Sequence, residues 1–136
     1  MNSWFFWTIL AMVTFGAWGF FPKLATNYIS PQSALIYQVM GGLLVGLVGL
    51  VMLNFKPEIH PMGILYALLT GITGVLGTLF YYFAASRGQI SIVVSLTCLY
   101  PLITIMLAIV FLHETLILKQ VIGLCFAVAA IVLLAG

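Results

Sequence analysis

Charged side chains are almost confined to the edges of long apolar stretches, and this pattern decides which solvent the chain folds in. The 136 residues include four Lys or Arg and two Asp or Glu. A water-soluble domain carries about a quarter charged residues, whereas a helix that spans a bilayer needs about 20 predominantly apolar residues. Five stretches of the sequence meet the second description. The sequence therefore predicts an all-α polytopic membrane protein with five transmembrane helices.

The five predicted helices form a single transmembrane domain over residues 1–136. Their boundaries carry turn signals. The first helix is expected to end before Pro22. Ser30 and Pro31 suit the N-cap and the first position of the second helix. Gly88 can serve as the C-cap of the third helix. The first stretch lacks the positively charged start of a secretory signal, so we expect it to be retained as a helix. The predicted helices cover about residues 4–21, 31–55, 62–86, 90–112 and 116–134.

The loop charges give no preferred orientation in the membrane. With five helices, Lys56 and Lys119 lie on the side of the N-terminus, and Lys23 and Arg87 lie on the opposite side. Because an excess of Lys and Arg on one side orients a membrane protein, this balance predicts dual topology, in which copies insert both ways and pair as an antiparallel homodimer. The alternative is that four charges are too few to decide and the first helix sets a single orientation. We expect a multi-pass protein of the inner (plasma) membrane.

The helix faces separate packing residues from candidate solute-binding residues. Gln38 shares one face of the second helix with glycines, and the third helix has glycines at every third position. Both patterns favour close helix packing, with Gln38 bonding across the contact. Hydroxyl and aromatic residues of the first, third and fourth helices predict a cavity, with ordinary interhelical packing as the alternative for each residue. The candidate substrate-binding residues are Thr14, Trp18, Thr78, Tyr81, Ser95 and Tyr100.

Pro101 lies near the middle of the fourth predicted helix. Proline removes one backbone hydrogen bond and frees a carbonyl. At membrane depth this is tolerated where protein or a water-filled cavity supplies another partner. We therefore predict a helix kink at Pro101. Transporters commonly break helices near their binding sites, and the alternative is that the kink is purely structural.

The sequence lacks the residue patterns of several other chemistries. No predicted helix has an Asp, Glu, Lys or Arg near its middle, so no carboxylate is placed in mid-membrane for a proton relay. Glu114 is expected at the start of the fifth helix, where the helix dipole favours it, and the alternative is that it dips inward. His60 and His113 have no cysteine or carboxylate cluster around them, and Cys98 and Cys125 suggest no disulfide. We expect no metal, no cofactor and no enzymatic activity. The net charge of +2 is small and scattered, so nucleic acid is not expected as a partner.

A series of short motifs runs through the chain in a definite order. They are Tyr81–Tyr82, Ala84 or Ala85, Ser91, Ser95, Pro101, Phe111–Leu112, Glu114, Gln120 and Gly123, and the first helix adds Trp18, Gly19 and Lys23. In this order and spacing the chain resembles the EamA-type repeat of the drug/metabolite transporter superfamily over nearly its whole length. Two positions depart from the repeat. His113 stands where the family usually has Gly, and Ile117 where it often has a hydroxyl residue, so Thr115 is expected to cap the fifth helix.

The resemblance implies a function and an assembly. Full-length members carry two such five-helix repeats in inverted orientation around a central cavity, so two oppositely inserted copies of this chain would rebuild a ten-helix transporter. We expect a secondary transporter that works by alternating access on a small neutral or zwitterionic metabolite or drug-like solute, with a second copy and membrane lipid as its other partners. The alternatives are a non-transporting subunit of a heteromeric transporter and a flippase for lipid or a polyprenyl carrier.

Overall fold

The fold is known from a computed structural model, which describes residues 3–135. Its elements are α1 (Ser3–Thr26), α2 (Pro31–Met52), α3 (Pro61–Arg87), α4 (Ile90–Thr97), α5 (Tyr100–Leu112) and α6 (Leu118–Ala135). The described residues contain no strand, which confirms the all-α class. The chain divides into two compact units, the first ending at Arg87 and the second beginning at Gly88.

Four stretches are long and apolar enough to cross a membrane. They are Trp4–Thr26, Pro31–Met52, Pro61–Arg87 and Ile90–Leu112, the last of which comprises α4 and α5. The fifth predicted span corresponds to a shorter apolar helix, Leu118–Leu133. The hydropathy of the sequence therefore locates every helix, whereas the exact helix ends depend on local chemistry.

The first helix continues past the point where the sequence predicted its end. Helix α1 passes through Pro22 and ends at Thr26. Pro22 is fully buried, and the Lys23 ammonium donates to the Ala85 carbonyl at 2.9 Å. Packing against α3 thus holds the last turn of α1, although Pro22 withdraws one backbone hydrogen bond from it.

The second helix begins as predicted but ends earlier. Ser30 is its N-cap and Pro31 its first residue, and the Ser30 hydroxyl oxygen accepts the Ser33 N–H at 3.3 Å. Its last residue is Met52, because the backbone angles φ of Asn54 and Phe55 are 50° and 58°. These left-handed conformations do not continue a right-handed helix.

The first unit is tightly packed at one end only. Helix α3 contacts both α1 and α2, and the buried side chains lie where α1 ends, α2 begins and α3 ends. These side chains are Pro22, Ala34, Thr78, Tyr81, Tyr82 and Ala85. Towards the opposite end, the three helices expose apolar side chains, as helices in contact with lipid do.

The second unit contains an interrupted helix. The predicted fourth helix is divided at Cys98–Leu99 into α4 and α5, and Pro101 is the second residue of α5. Pro101 has no N–H to donate to the Thr97 carbonyl, and its ring opposes a regular turn there. The backbone tightens instead, with the Leu99 N–H donating to Leu96 at 3.1 Å. Helix α4 packs against α6.

The two departures from the family pattern have structural consequences at the α5–α6 connection. His113 closes α5 in a left-handed conformation with φ 55° and ψ 32°, which glycine adopts without steric cost. Before α6, the Ile117 N–H donates to the Gln120 side-chain oxygen at 3.0 Å. This is half of a capping box. Gln120, rather than the expected Thr115, therefore caps this helix.

Candidate functional site

Two of the candidate residues, Trp18 and Tyr81, are brought together by α1 and α3. Their ring centroids are 5.2 Å apart with an angle of 34° between the planes. The Tyr81 hydroxyl donates to the Gly19 carbonyl at 2.7 Å, and Tyr81 is only 5% exposed. Tyr81 thus packs against the Trp18 ring, and its hydroxyl proton is already used in the hydrogen bond to Gly19.

The hydroxyls of Thr14 and Thr78 also donate within the protein. Thr14 bonds the Leu10 carbonyl and Thr78 the Gly74 carbonyl, both at 2.8 Å and both one turn earlier on the same helix. Such bonds leave the hydroxyl oxygen able to accept but not to donate. Thr14 is exposed, whereas Thr78 is only 8% exposed.

The remaining candidates belong to the second unit. Ser95 donates to the Ser91 carbonyl at 2.8 Å, and Tyr100 is 59% exposed at the start of α5. Pro101 lines an apolar cavity of about 110 Å³ between α5 and α6, together with Cys98 and Ala127. The contact of all six candidate residues with a solute stays a prediction.

An open groove of about 480 Å³ lies between the three helices of the first unit. Its volume falls within the range of about 300–1,000 Å³ that is usual for small-molecule sites. We call it the three-helix groove. It is lined by Trp18, Phe21 and Pro22 of α1, Gln38, Gly41, Gly42 and Val45 of α2, and Tyr82 of α3. Of the candidate residues, only Trp18 lies in this lining.

The groove exists because α2 carries two glycines where it faces the other helices. A Cβ atom added to Gly41 or Gly42 would meet no atom within 4 Å. The same holds for Gly46 and Gly49 on α2 and for Gly71, Gly74 and Gly77 on α3. The close helix contacts that the sequence predicted at the glycines of α2 and α3 are therefore not made within the described chain.

Gln38 was expected to bond across a helix contact, and the structure gives it a different setting. Its side-chain oxygen Oε1 is buried and has no hydrogen-bond partner among the described residues. Gln38 also lines the three-helix groove. A carboxamide within an apolar span was the feature of the sequence that drew attention to Gln38. Its position beside a groove, however, depends on how α1 and α3 pack.

The electrostatics of the groove are neutral. None of the residues that line it is charged, and the charged residues of the first unit lie near helix ends, as Lys23 and Arg87 do. Among residues 3–135, no three His, Cys, Asp or Glu side chains lie close enough to hold a metal ion. The groove therefore suits a solute without net charge.

Comparison with known proteins gives the family. The model of the EamA-like transporter family matches residues 2–136. An uncharacterized protein of Methanocaldococcus jannaschii is 33% identical over 128 residues, which cover 93% of this chain and 91% of that protein. No solved structure matches the chain. The chain is therefore a multi-pass membrane protein that belongs to the EamA-like transporter family.

Proposed function

We propose that the protein is a secondary transporter of the inner (plasma) membrane for a small neutral or zwitterionic metabolite or drug-like solute. The observation that carries the proposal is the three-helix groove, which has the volume of a small-molecule site and no charged lining residue. Lipid can cover an exposed apolar helix face, but lipid tails offer no hydrogen bond to the Gln38 amide, which lines this mainly apolar groove. A solute with both apolar and polar parts satisfies the groove better.

We further propose that two copies act together as an antiparallel homodimer. The charges near the helix ends are balanced, with Lys23 and Arg87 on one side and Lys56 and Lys119 on the other, which favours insertion in both orientations. The glycine positions of α2 and α3 lack close neighbours within the chain, and glycine faces let helices of two copies approach closely. The matched relative is of similar length, since the match covers 91% of it.

The one-sided packing of the first unit supports alternating access. The end that contains Pro22, Ala34 and Tyr81 is closed, and the other end exposes its apolar side chains. In an antiparallel pair, the closed ends of the two copies would face opposite sides of the membrane. A transporter needs such an arrangement, because the two halves must close the passage on one side and then on the other.

Counterflow into proteoliposomes tests transport. The probes are labelled amino acids without net charge, which are zwitterions at neutral pH, presented to liposomes loaded with the unlabelled compound. We expect saturable uptake for at least one probe with the wild type, reduced at least about tenfold in Trp18→Ala, which loses an aromatic anchor. The matched control is Trp7→Ala, because Trp7 is 65% exposed on the same helix and does not line the groove. Equal losses in both variants would contradict the role of the groove.

Reporter fusions test the assembly separately. A C-terminal reporter that is active only in the cytoplasm and one that is active only outside it should both give signal, because the copies insert both ways. Purified alone, the protein should be a monodisperse homodimer. Signal from one reporter only would refute dual topology, and aggregation that is relieved by a second, related chain would favour a heteromeric transporter.

A further inference from the structure

We propose that Gln38 is the specificity-determining residue of the three-helix groove and selects a solute that carries an N–H or O–H donor. The proposal rests on the proposed function in one respect, namely that the groove holds the solute. It adds the hydrogen-bonding residue and the chemical group which that residue recognises. It starts from Oε1 of Gln38, which is buried without a partner in the described chain.

An unpartnered carbonyl oxygen makes the empty groove unfavourable. Leaving a buried acceptor unsatisfied costs about 1–3 kcal/mol, and in hydrocarbon no water is present to take the missing place. The terminal torsion of a glutamine side chain is broad, so the Gln38 amide can turn towards a donor in the groove that it lines. A donor-bearing solute thus removes a penalty that a solute without a donor leaves in place.

A backbone acceptor on α1 lacks its usual helix donor. Pro22 is inside α1, and it has no N–H to donate to the carbonyl of the residue four positions earlier, which is Trp18. Both residues line the groove. The Trp18 carbonyl thus lacks its usual helix donor. It belongs to a residue that lines the groove, as the Gln38 oxygen does, and this favours a donor on the solute.

The remaining walls define the apolar part of the solute. Trp18, Phe21 and Val45 supply apolar surface. At Gly41 and Gly42 of α2, no atom lies where a Cβ would be in contact. These walls suit a compact apolar body. The solute class is therefore a small, mainly apolar molecule that has no net charge and carries at least one hydrogen-bond donor.

Indole and 1-methylindole test this selection, because they share a ring system and differ in the N–H donor. Saturable binding to the purified protein in detergent is measured by equilibrium dialysis, with empty micelles subtracted. We expect the wild type to bind indole about fivefold more tightly, as one net hydrogen bond predicts. In Gln38→Met, which keeps the side-chain length without the amide, the two affinities should become equal.

Further variants ensure that the test does not depend on Gln38→Met alone. Gln32→Met is the matched control, because Gln32 is exposed in the first turn of α2; it should keep the fivefold preference. Gly42→Val adds a side chain at the groove, where its Cβ would meet no atom within 4 Å, and should weaken both ligands at least about tenfold. Its control is Gly16→Val on α1, where an added Cβ is also unhindered. If Gln38→Met does not yield folded protein, Gln38→Asn, which withdraws the amide by one carbon, should reduce the preference.

The outcomes separate this proposal from the transport proposal. Equal binding of the two ligands by the wild type, no saturable binding of either, or an unchanged preference in Gln38→Met would overturn the role of Gln38. A Gln38→Met protein that loses its dimer while keeping the preference would show that a second copy supplies the missing donor, which also overturns it. Flux without ligand discrimination contradicts only the Gln38 proposal, whereas discrimination without any flux contradicts only transport.

Discussion

The Tyr81 hydroxyl donates to the backbone carbonyl of Gly19 at 2.7 Å, and this bond joins α3 to α1 near the closed end of the first unit. The Tyr81 ring also lies 5.2 Å from that of Trp18. One side chain therefore contacts both the backbone of α1 and the indole that lines the three-helix groove. Since its hydroxyl proton is engaged in this bond, the contribution of Tyr81 to the groove is its ring contact with Trp18.

Tyr81→Phe should lower the free energy of unfolding by about 1 kcal/mol, the net value of one buried hydrogen bond. The aromatic contact with Trp18 remains, so the variant isolates the bond to Gly19. Denaturant unfolding in detergent measures the change. Tyr66→Phe is the control, because Tyr66 is exposed on the same helix and its hydroxyl bonds no described residue. Equal unfolding midpoints for the two variants would mean that the bond adds nothing to stability.

His113→Gly should raise the free energy of unfolding by about 1 kcal/mol. The φ of 55° at His113 costs a residue with a Cβ about 1–2 kcal/mol, which glycine avoids. Glycine loses more conformational entropy on folding, which offsets part of the gain. The measurement is the thermal midpoint in detergent. His113→Ala is the control: it removes the imidazole but retains the Cβ, so it should not stabilise, and a similar gain from alanine would contradict a backbone cause.

Hydropathy and turn chemistry predicted those features that depend on neighbours in sequence. The apolar stretches located the helices, and Ser30 with Pro31 located the start of α2. Pro101 predicted a kink, and the structure interrupts the helix beside it, at Cys98–Leu99. These features follow from missing or available backbone hydrogen bonds within a turn or two, which the sequence alone specifies.

Features that depend on packing between helices were missed. The end of α1 was placed before Pro22, yet Lys23 bonds the Ala85 carbonyl and the helix continues. The candidate site included Trp18 but omitted Gln38 and Tyr82, which line the same groove. A residue 20 or 60 positions away comes into reach only when three helices are arranged in space, and helix periodicity does not specify that arrangement.

A single added lysine should shift the orientation of the chain in the membrane. The existing charges on the two sides are balanced. Asn27→Lys adds a positive charge to the side of Lys23, whereas Ile59→Lys adds one to the side of Lys56. The two variants should therefore move the reporter ratio in opposite directions. Both positions lie in connections between helices, and Ile59 is 85% exposed. The measurement is the ratio of the two C-terminal reporters; a ratio that both substitutions leave unchanged would show that flanking charge does not set the orientation.

Pro101→Ala should join α4 and α5 into one helix. Alanine restores an N–H that can donate to the Thr97 carbonyl, removes the ring that opposes a regular turn, and makes a continuous helix more favourable by about 3 kcal/mol. Hydrogen exchange at the amides of Cys98 and Leu99 should slow at least about tenfold. If the interruption serves transport, counterflow should fall several-fold in the same protein.

Pro61→Ala is the matched control for that change. Pro61 is the first residue of α3, where the backbone N–H has no partner in the helix and proline is well tolerated. Neither exchange in the α4–α5 segment nor counterflow should respond to it. Unchanged exchange in Pro101→Ala would contradict the missing hydrogen bond as the cause of the interruption. Slower exchange with full counterflow would show that the interruption is structural, because a transporter that bends at this point cannot keep its rate once the bend is removed.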